Sequence, residues 1–82
     1  MGTIDRRDGM RVVVNTDDHG VPHVHIQRNG EWAKIALGDH ECGAYVLDPK
    51  RMREQDIRDA IRLVDERWER YLLAWRKIHG HD

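Results

Sequence analysis

The sequence predicts an α+β domain, a small antiparallel β-meander of three to five strands packed against a long C-terminal helix or helical hairpin. Turn pairs punctuate the first half at Asp8-Gly9, Asp18-His19-Gly20, Asn29-Gly30 and Gly38-Asp39, with short apolar runs between them. From Asp48-Pro49 to Gly80 no Gly or Pro interrupts the chain, and apolar residues recur at Ile57, Ile61, Val64, Trp68, Tyr71, Trp75 and Ile78. Eighty-two residues are material for one hydrophobic core. Residues 1–82 therefore read as a single domain, with 1–47 as the meander and 48–80 as the helical part.

The expected strands are residues 10–14, 22–28 and 31–37, with 44–47 weaker and 3–6 as a first strand. The hairpin around Asn29-Gly30 is the best determined, because Asn-Gly favours the two-residue type I′ loop that fixes register. Arg28 then faces Glu31, Gln27 faces Trp32, Ile26 faces Ala33, His25 faces Lys34, Val24 faces Ile35 and His23 faces Ala36. Alternation across the pleat puts Val24, Ile26, Ala33, Ile35 and Leu37 on one apolar side, which must be the core side. His23, His25, Gln27, Trp32 and Lys34 share the other, which is solvated or a binding surface.

Asp48 reads as an N-cap and Pro49 as the first helical residue. Ala60 and Leu72 widen the stripe, Trp68 and Trp75 read as core or interface, and Glu54 with Arg58 and Glu66 with Arg70 are i,i+4 pairs on the outer face. A continuous helix from 49 to 79 would be roughly 45 Å long, more than the roughly 30 Å of a small domain. Either it breaks near residues 66–69, or it overhangs and packs on a second copy or a cognate partner. The unbroken stripe favours overhang, so the C-terminal helix is the expected protein-protein contact.

The charge balance, 14 Lys and Arg against 15 Asp and Glu for a net charge of −1, excludes attachment to nucleic acid by bulk charge but leaves room for a local basic patch. Cys42 is the sole cysteine, so no disulfide or Cys-based zinc knuckle forms; it reads as a small strand residue. Residues 1–7 carry no apolar leader and no run of 18 apolar residues exists, so the expectation is a soluble cytoplasmic protein without a membrane partner.

Six histidines are the compositional oddity, and three fall between positions 19 and 25. On a strand, His23 and His25 point the same way with Cα atoms about 6.6 Å apart, within reach of one metal ion. His19, Asp18 or the distant His40 would supply a third ligand. No cofactor is expected beyond a divalent ion such as zinc on His23, His25 and His19, and Lys34 opposite His25 disfavours that cation. The same lysine suits a phosphate. Two histidines, a lysine, Gln27 and Trp32 can neutralise a phosphate, donate hydrogen bonds and stack a base, which is the chemistry of a compact RNA site. Neighbouring histidines can also serve as general base and acid in phosphodiester cleavage, with Lys34 favouring the neutral His25 as base. His40-Glu41-Cys42 is a weak nucleophile segment without an orienting group. His79 and His81 read as a tail, His79 suiting the helix C-terminus.

The segment Asp18-His19-Gly20-Val21-Pro22-His23-Val24-His25, followed by Gly30-Glu31-Trp32-Ala33-Lys34, Leu37-Gly38 and Leu73-Ala74-Trp75, resembles the bacterial domain of unknown function 4160 family, whose signature is D-H-x-P-P-H-V-H. Val21 stands where that family usually has its first proline. The resemblance implies one half of a small two-gene module of toxin-antitoxin type beside another uncharacterised family, 2442. It also implies a site on Asp18, His19, His23, His25 and Lys34. The histidine-triad nucleotide hydrolases look superficially similar, but Gln27 replaces their third strand histidine and the chain is short for that fold.

Overall fold

Five antiparallel strands lie in the sheet in chain order: β1 (Gly2–Arg7), β2 (Met10–Val14), β3 (His23–Arg28), β4 (Glu31–Ala36) and β5 (Tyr45–Asp48). Two helices follow, α1 (Glu54–Glu66) and α2 (Trp68–His79). This is an α+β fold. The architecture comes from a computed structural model that describes residues 2–15, 20–39 and 41–79. Asp18, His19, His40 and His81 lie outside the described residues.

Two tight turns set the meander. Asp8 and Gly9 at φ 54° and 76°, and Asn29 and Gly30 at φ 54° and 81°, both adopt the left-handed pair of a type I′ turn, whose twist matches the strands it joins. The β3–β4 register is the one the Asn-Gly turn dictates, from Arg28 opposite Glu31 to His23 opposite Ala36. Both outer strands carry an irregularity: Ile4 is an extra residue on β1 between Thr3 and Asp5, and Leu47 is an extra residue on β5 opposite Lys34 and Ile35. The bulge at Ile4 turns Asp5 onto the same side as Val12, toward the helices.

The core lies between one sheet face and the two helices. Val12, Val14, Val24, Ile26, Ile35 and Leu37 are fully buried there with Ala60, Val64 and Tyr71. Each large aliphatic side chain so buried contributes on the order of 1.5–3 kcal/mol. Polar ties fix the helices to the sheet. Arg28 reaches Asp59 at 2.7 Å and Asp56 at 3.0 Å, and also donates to the Asp8 carbonyl at 2.6 Å. Asp65 accepts the Ala44 N–H at 2.7 Å, and Trp68 Nε1 donates to the Gly38 carbonyl at 3.2 Å. Gly38 has φ 69°, and a Cβ there would collide with the Gly43 carbonyl.

Three sequence expectations need correction. The helix begins at Glu54, not Pro49: Asp48 ends β5 and its side chain accepts the Lys50 N–H at 3.1 Å, an Asx turn built from the residue chemistry that otherwise caps a helix. Overhang of one long helix is excluded, because Arg67, at φ −119° and ψ 30°, interrupts it. A straight rod over residues 54–79 would measure about 39 Å, longer than the 35 Å greatest extent of the molecule. α1 lies over β4 and β5 while α2 lies over β2 and β3. Finally, Cys42 is exposed in a turn rather than held in a strand. Among the described residues, no helix is long and apolar enough to cross a membrane.

Candidate functional site

The sheet face away from the helices carries the polar residues that the sequence grouped together. His25 stands opposite Lys34 on one side and Val13 on the other, and Gln27 stands opposite Trp32 and Arg11. Direct cross-strand partners point to the same side of a pleated sheet, so these residues form two adjacent rows across β2, β3 and β4. The guanidinium of Arg11 lies over the Trp32 ring, 5.3 Å from its centroid. Beside that ring an open concavity of about 690 Å³ is lined by Asn15, His25, Trp32, Glu31, Lys50 and Arg51, among others, and its walls are mostly apolar.

The turn after β5 brings Lys50 and Arg51 to this rim. Lys50 adopts φ 52°, unusual for a side-chain-bearing residue, and is held by Asp48, which accepts its backbone N–H and pairs with its ammonium at 3.1 Å. Those two contacts with Lys50 keep the Asp48 carboxyl below the usual carboxylate range, with Lys34 adding to the effect. Among the described residues around Trp32 and His25, the cations Arg11, Lys34, Lys50 and Arg51 outnumber the carboxylates Glu31 and Asp48.

His23 and His25 are neighbours, with ring centroids 5.3 Å apart in an edge-on arrangement, but their surroundings differ. His23 is only 3% exposed. Its Nδ1 donates to the Val21 carbonyl at 2.8 Å, and its ring packs against Trp75 at 5.0 Å. His79 stacks on the far side of this group, 3.8 Å from the Trp75 centroid, and its Nδ1 donates to the Trp75 carbonyl at 3.0 Å. The expectation that His23 shares a solvated face fails because α2 covers the start of β3. His79, read as tail, belongs to the stack that covers it, and its bond to the Trp75 carbonyl meets an acceptor at the helix end.

His25 is the accessible histidine. The Asn15 amide donates to its Nε2 at 3.2 Å. An amide N–H only donates, so Nε2 accepts and the neutral ring carries its proton on Nδ1. The lone pair of the ring is thus turned to Asn15. Among the described residues, no three His, Cys, Asp or Glu gather to hold a metal ion; His19 and Asp18, needed for the metal reading, lie outside them. At Cys42 the Asp39 carboxylate raises the thiol pKa by its charge and hydrogen bond, opposing thiolate formation.

Sequence reasoning found His25, Gln27, Trp32 and Lys34 as one group. It missed Arg11, Asn15, Lys50 and Arg51. Arg11 was legible in principle, since extending the hairpin register to the preceding strand pairs it with Gln27. The Lys50-Arg51 turn was not, because it was assigned to a helix.

The family profile of domain of unknown function 4160 matches residues 9–76, which include this whole face. The chain belongs to that family. No curated protein and no solved structure matches it. Membership in the 4160 family agrees with the motif resemblance and assigns no activity.

Proposed function

We propose that this member of the 4160 family is the toxin-like component of a bacterial two-gene module and acts by binding RNA through the sheet face of His25, Lys34, Gln27 and Trp32. The observation that carries the reading is the pairing of a half-buried indole with an excess of cations among the described residues of one sheet face, in a chain whose net charge is −1. A ring that stacks a base beside lysines and arginines that neutralise phosphates is the recurrent solution for single-stranded RNA. His25 borders the same concavity as the indole. Holding the RNA suits this arrangement better than cleaving it, since His23 lies under Trp75 and the His25 lone pair faces Asn15.

The test is growth on induced expression of the wild type, His25→Ala and Lys34→Gln, each shown folded by circular dichroism. Arrest by the wild type that both substitutions relieve is the expected result. Arrest unchanged by either, or no arrest together with no RNA retained on purification, overturns the reading.

A second reading, a non-enzymatic module whose helix docks a cognate protein or a second copy, draws on one observation: Leu73 on α2 is 58% exposed. Leu73→Glu separates the two. It abolishes association with the product of the neighbouring gene, or self-association in light scattering, if the helix docks a partner, and it leaves RNA binding intact.

A further inference from the structure

We infer that the ligand is a single RNA strand laid across four strands of the sheet, and that Arg6 and Arg11 grip its backbone at the end remote from Lys34. The inference rests on the RNA reading above and specifies what is bound and how far it runs.

Arg6 and Arg11 are direct cross-strand partners. Like charges placed opposite one another weaken a strand pair, so the arrangement is unfavourable for the fold by itself. Five other arginines, Arg28, Arg53, Arg58, Arg62 and Arg67, lie within ion-pair distance of a carboxylate on the helix side, whereas among the described residues Arg7, Arg51, Arg70 and Arg76 do not. Among the described residues neither Arg6 nor Arg11 has such a partner, and the buried Nε of Arg11 makes no hydrogen bond. Two uncompensated guanidinium groups on one side of a sheet are a seat for phosphate.

The register turns that seat into part of a longer track. Arg6 pairs with Arg11, Arg11 with Gln27 and Gln27 with Trp32, so the four form one row from β1 to β4. Next to it runs the row of Val13, His25 and Lys34. Three strand spacings separate Arg6 from Trp32, about 14 Å. A sheet face of this width accommodates about two or three nucleotides. A second concavity, about 490 Å³, runs along the two hairpin turns, where Arg6, Arg7 and Arg11 line it together with Asp8, Gln27 and Asn29. A mononucleotide on Trp32 would meet Arg11, which lies over that ring, but would leave Arg6 unused. A duplex keeps its bases stacked on each other and offers no ring face to Trp32, so the strand is unpaired.

The experiment is fluorescence anisotropy of the full chain with fluorescein-labelled oligouridylates, a dinucleotide and an octanucleotide, and with an RNA duplex, over a series of salt concentrations. The variants are Arg6→Gln, Arg6→Lys and Lys34→Gln. The expected result is tighter binding of the octanucleotide than of either other probe. Arg6→Gln then weakens the octanucleotide several-fold and reduces its log–log salt slope by about 0.7, the value for one phosphate contact on a single strand. Arg6→Lys restores the slope, the dinucleotide ignores both changes, and Lys34→Gln weakens both single-stranded probes. If Arg6→Gln binds the octanucleotide as the wild type does while Lys34→Gln does not, the arginine seat is overturned and the RNA reading stands. Preference for the duplex overturns the single-strand inference. If the wild type binds none of the probes, both fall.

Discussion

The Tyr71 hydroxyl on α2 donates to the Asp5 carboxylate on β1 at 2.8 Å, joining residues 66 positions apart in sequence. Arg67 completes the contact at 3.5 Å from the same carboxylate oxygen. Because the bulge at Ile4 aims Asp5 at the helices, the edge strand and the last helix are held together by a charged hydrogen bond inside the apolar interface.

Tyr71→Phe removes the donor and leaves a poorly solvated carboxylate. The expected loss is about 1.5–3 kcal/mol, as for hydrogen bonds to charged groups, read as a lower urea midpoint with an unchanged m-value. Asp5→Asn costs less, since the amide oxygen still accepts from the hydroxyl.

The same pair predicts two limbs in the pH profile of stability. Burial raises the Asp5 pKa, but the Tyr71 and Arg6 N–H bonds and the charges of Arg67 and Arg70 outweigh it and hold the carboxyl below its ordinary 3.8. A depressed folded pKa gives stability that is present above the unfolded pKa and is lost as pH falls through the folded one. Melting temperature should therefore decline in acid from about pH 4 downward. Tyr71 is raised above its ordinary 10.0 by burial first and by Asp5 second. Its contribution is full below pH 10 and declines as pH rises beyond. Tyr71→Phe should flatten the alkaline limb, which thermal melts across pH will show.

Arg28→Ala strips Asp56, which is 6% exposed, of its close cationic partner. A loss of about 2–4 kcal/mol is expected, near the cost of breaking a buried pair. Arg28→Lys recovers only part of it, because an ammonium cannot repeat the fork that reaches Asp56, Asp59 and the Asp8 carbonyl. Chemical denaturation of the two variants gives the comparison.

The two strand histidines should separate cleanly. His23→Ala empties space under Trp75 and lowers stability by about 1–3 kcal/mol, with a change in tryptophan fluorescence. His25→Ala leaves the melting temperature within about 2 °C and removes RNA binding.

Much of the sheet was legible because one dipeptide governs it: Asn29-Gly30 fixes the type I′ turn, and six cross-strand pairs follow by counting. The grouping of His25, Gln27, Trp32 and Lys34 is a consequence of that count. The Ile4 and Leu47 bulges have no comparable local signal. Their position depends on what each strand must face, Tyr71 in the case of Asp5. The break at Arg67 falls within the 66–69 window that helix length pointed to, but it occurs without Gly or Pro and inside an unbroken apolar stripe, so periodicity favoured the continuous helix instead. Asp48 misled because the same side chain serves an N-cap and an Asx turn. Burial of His23 comes from Trp75, far along the chain, and no pattern around His23 reports it.

An open sheet has two outer borders, and here each is interrupted by one surplus residue, Ile4 on β1 and Leu47 on β5. β5 exposes Tyr45, Val46 and Leu47 in succession, the composition that invites an extra strand to dock. A newcomer would meet amides and carbonyls out of step after one or two bonds, because the surplus residue bends the border and spoils its spacing. The irregularities thus act as stops against strand-by-strand growth into fibres. Deleting Leu47 should remove one stop and shorten the lag before thioflavin-positive aggregation.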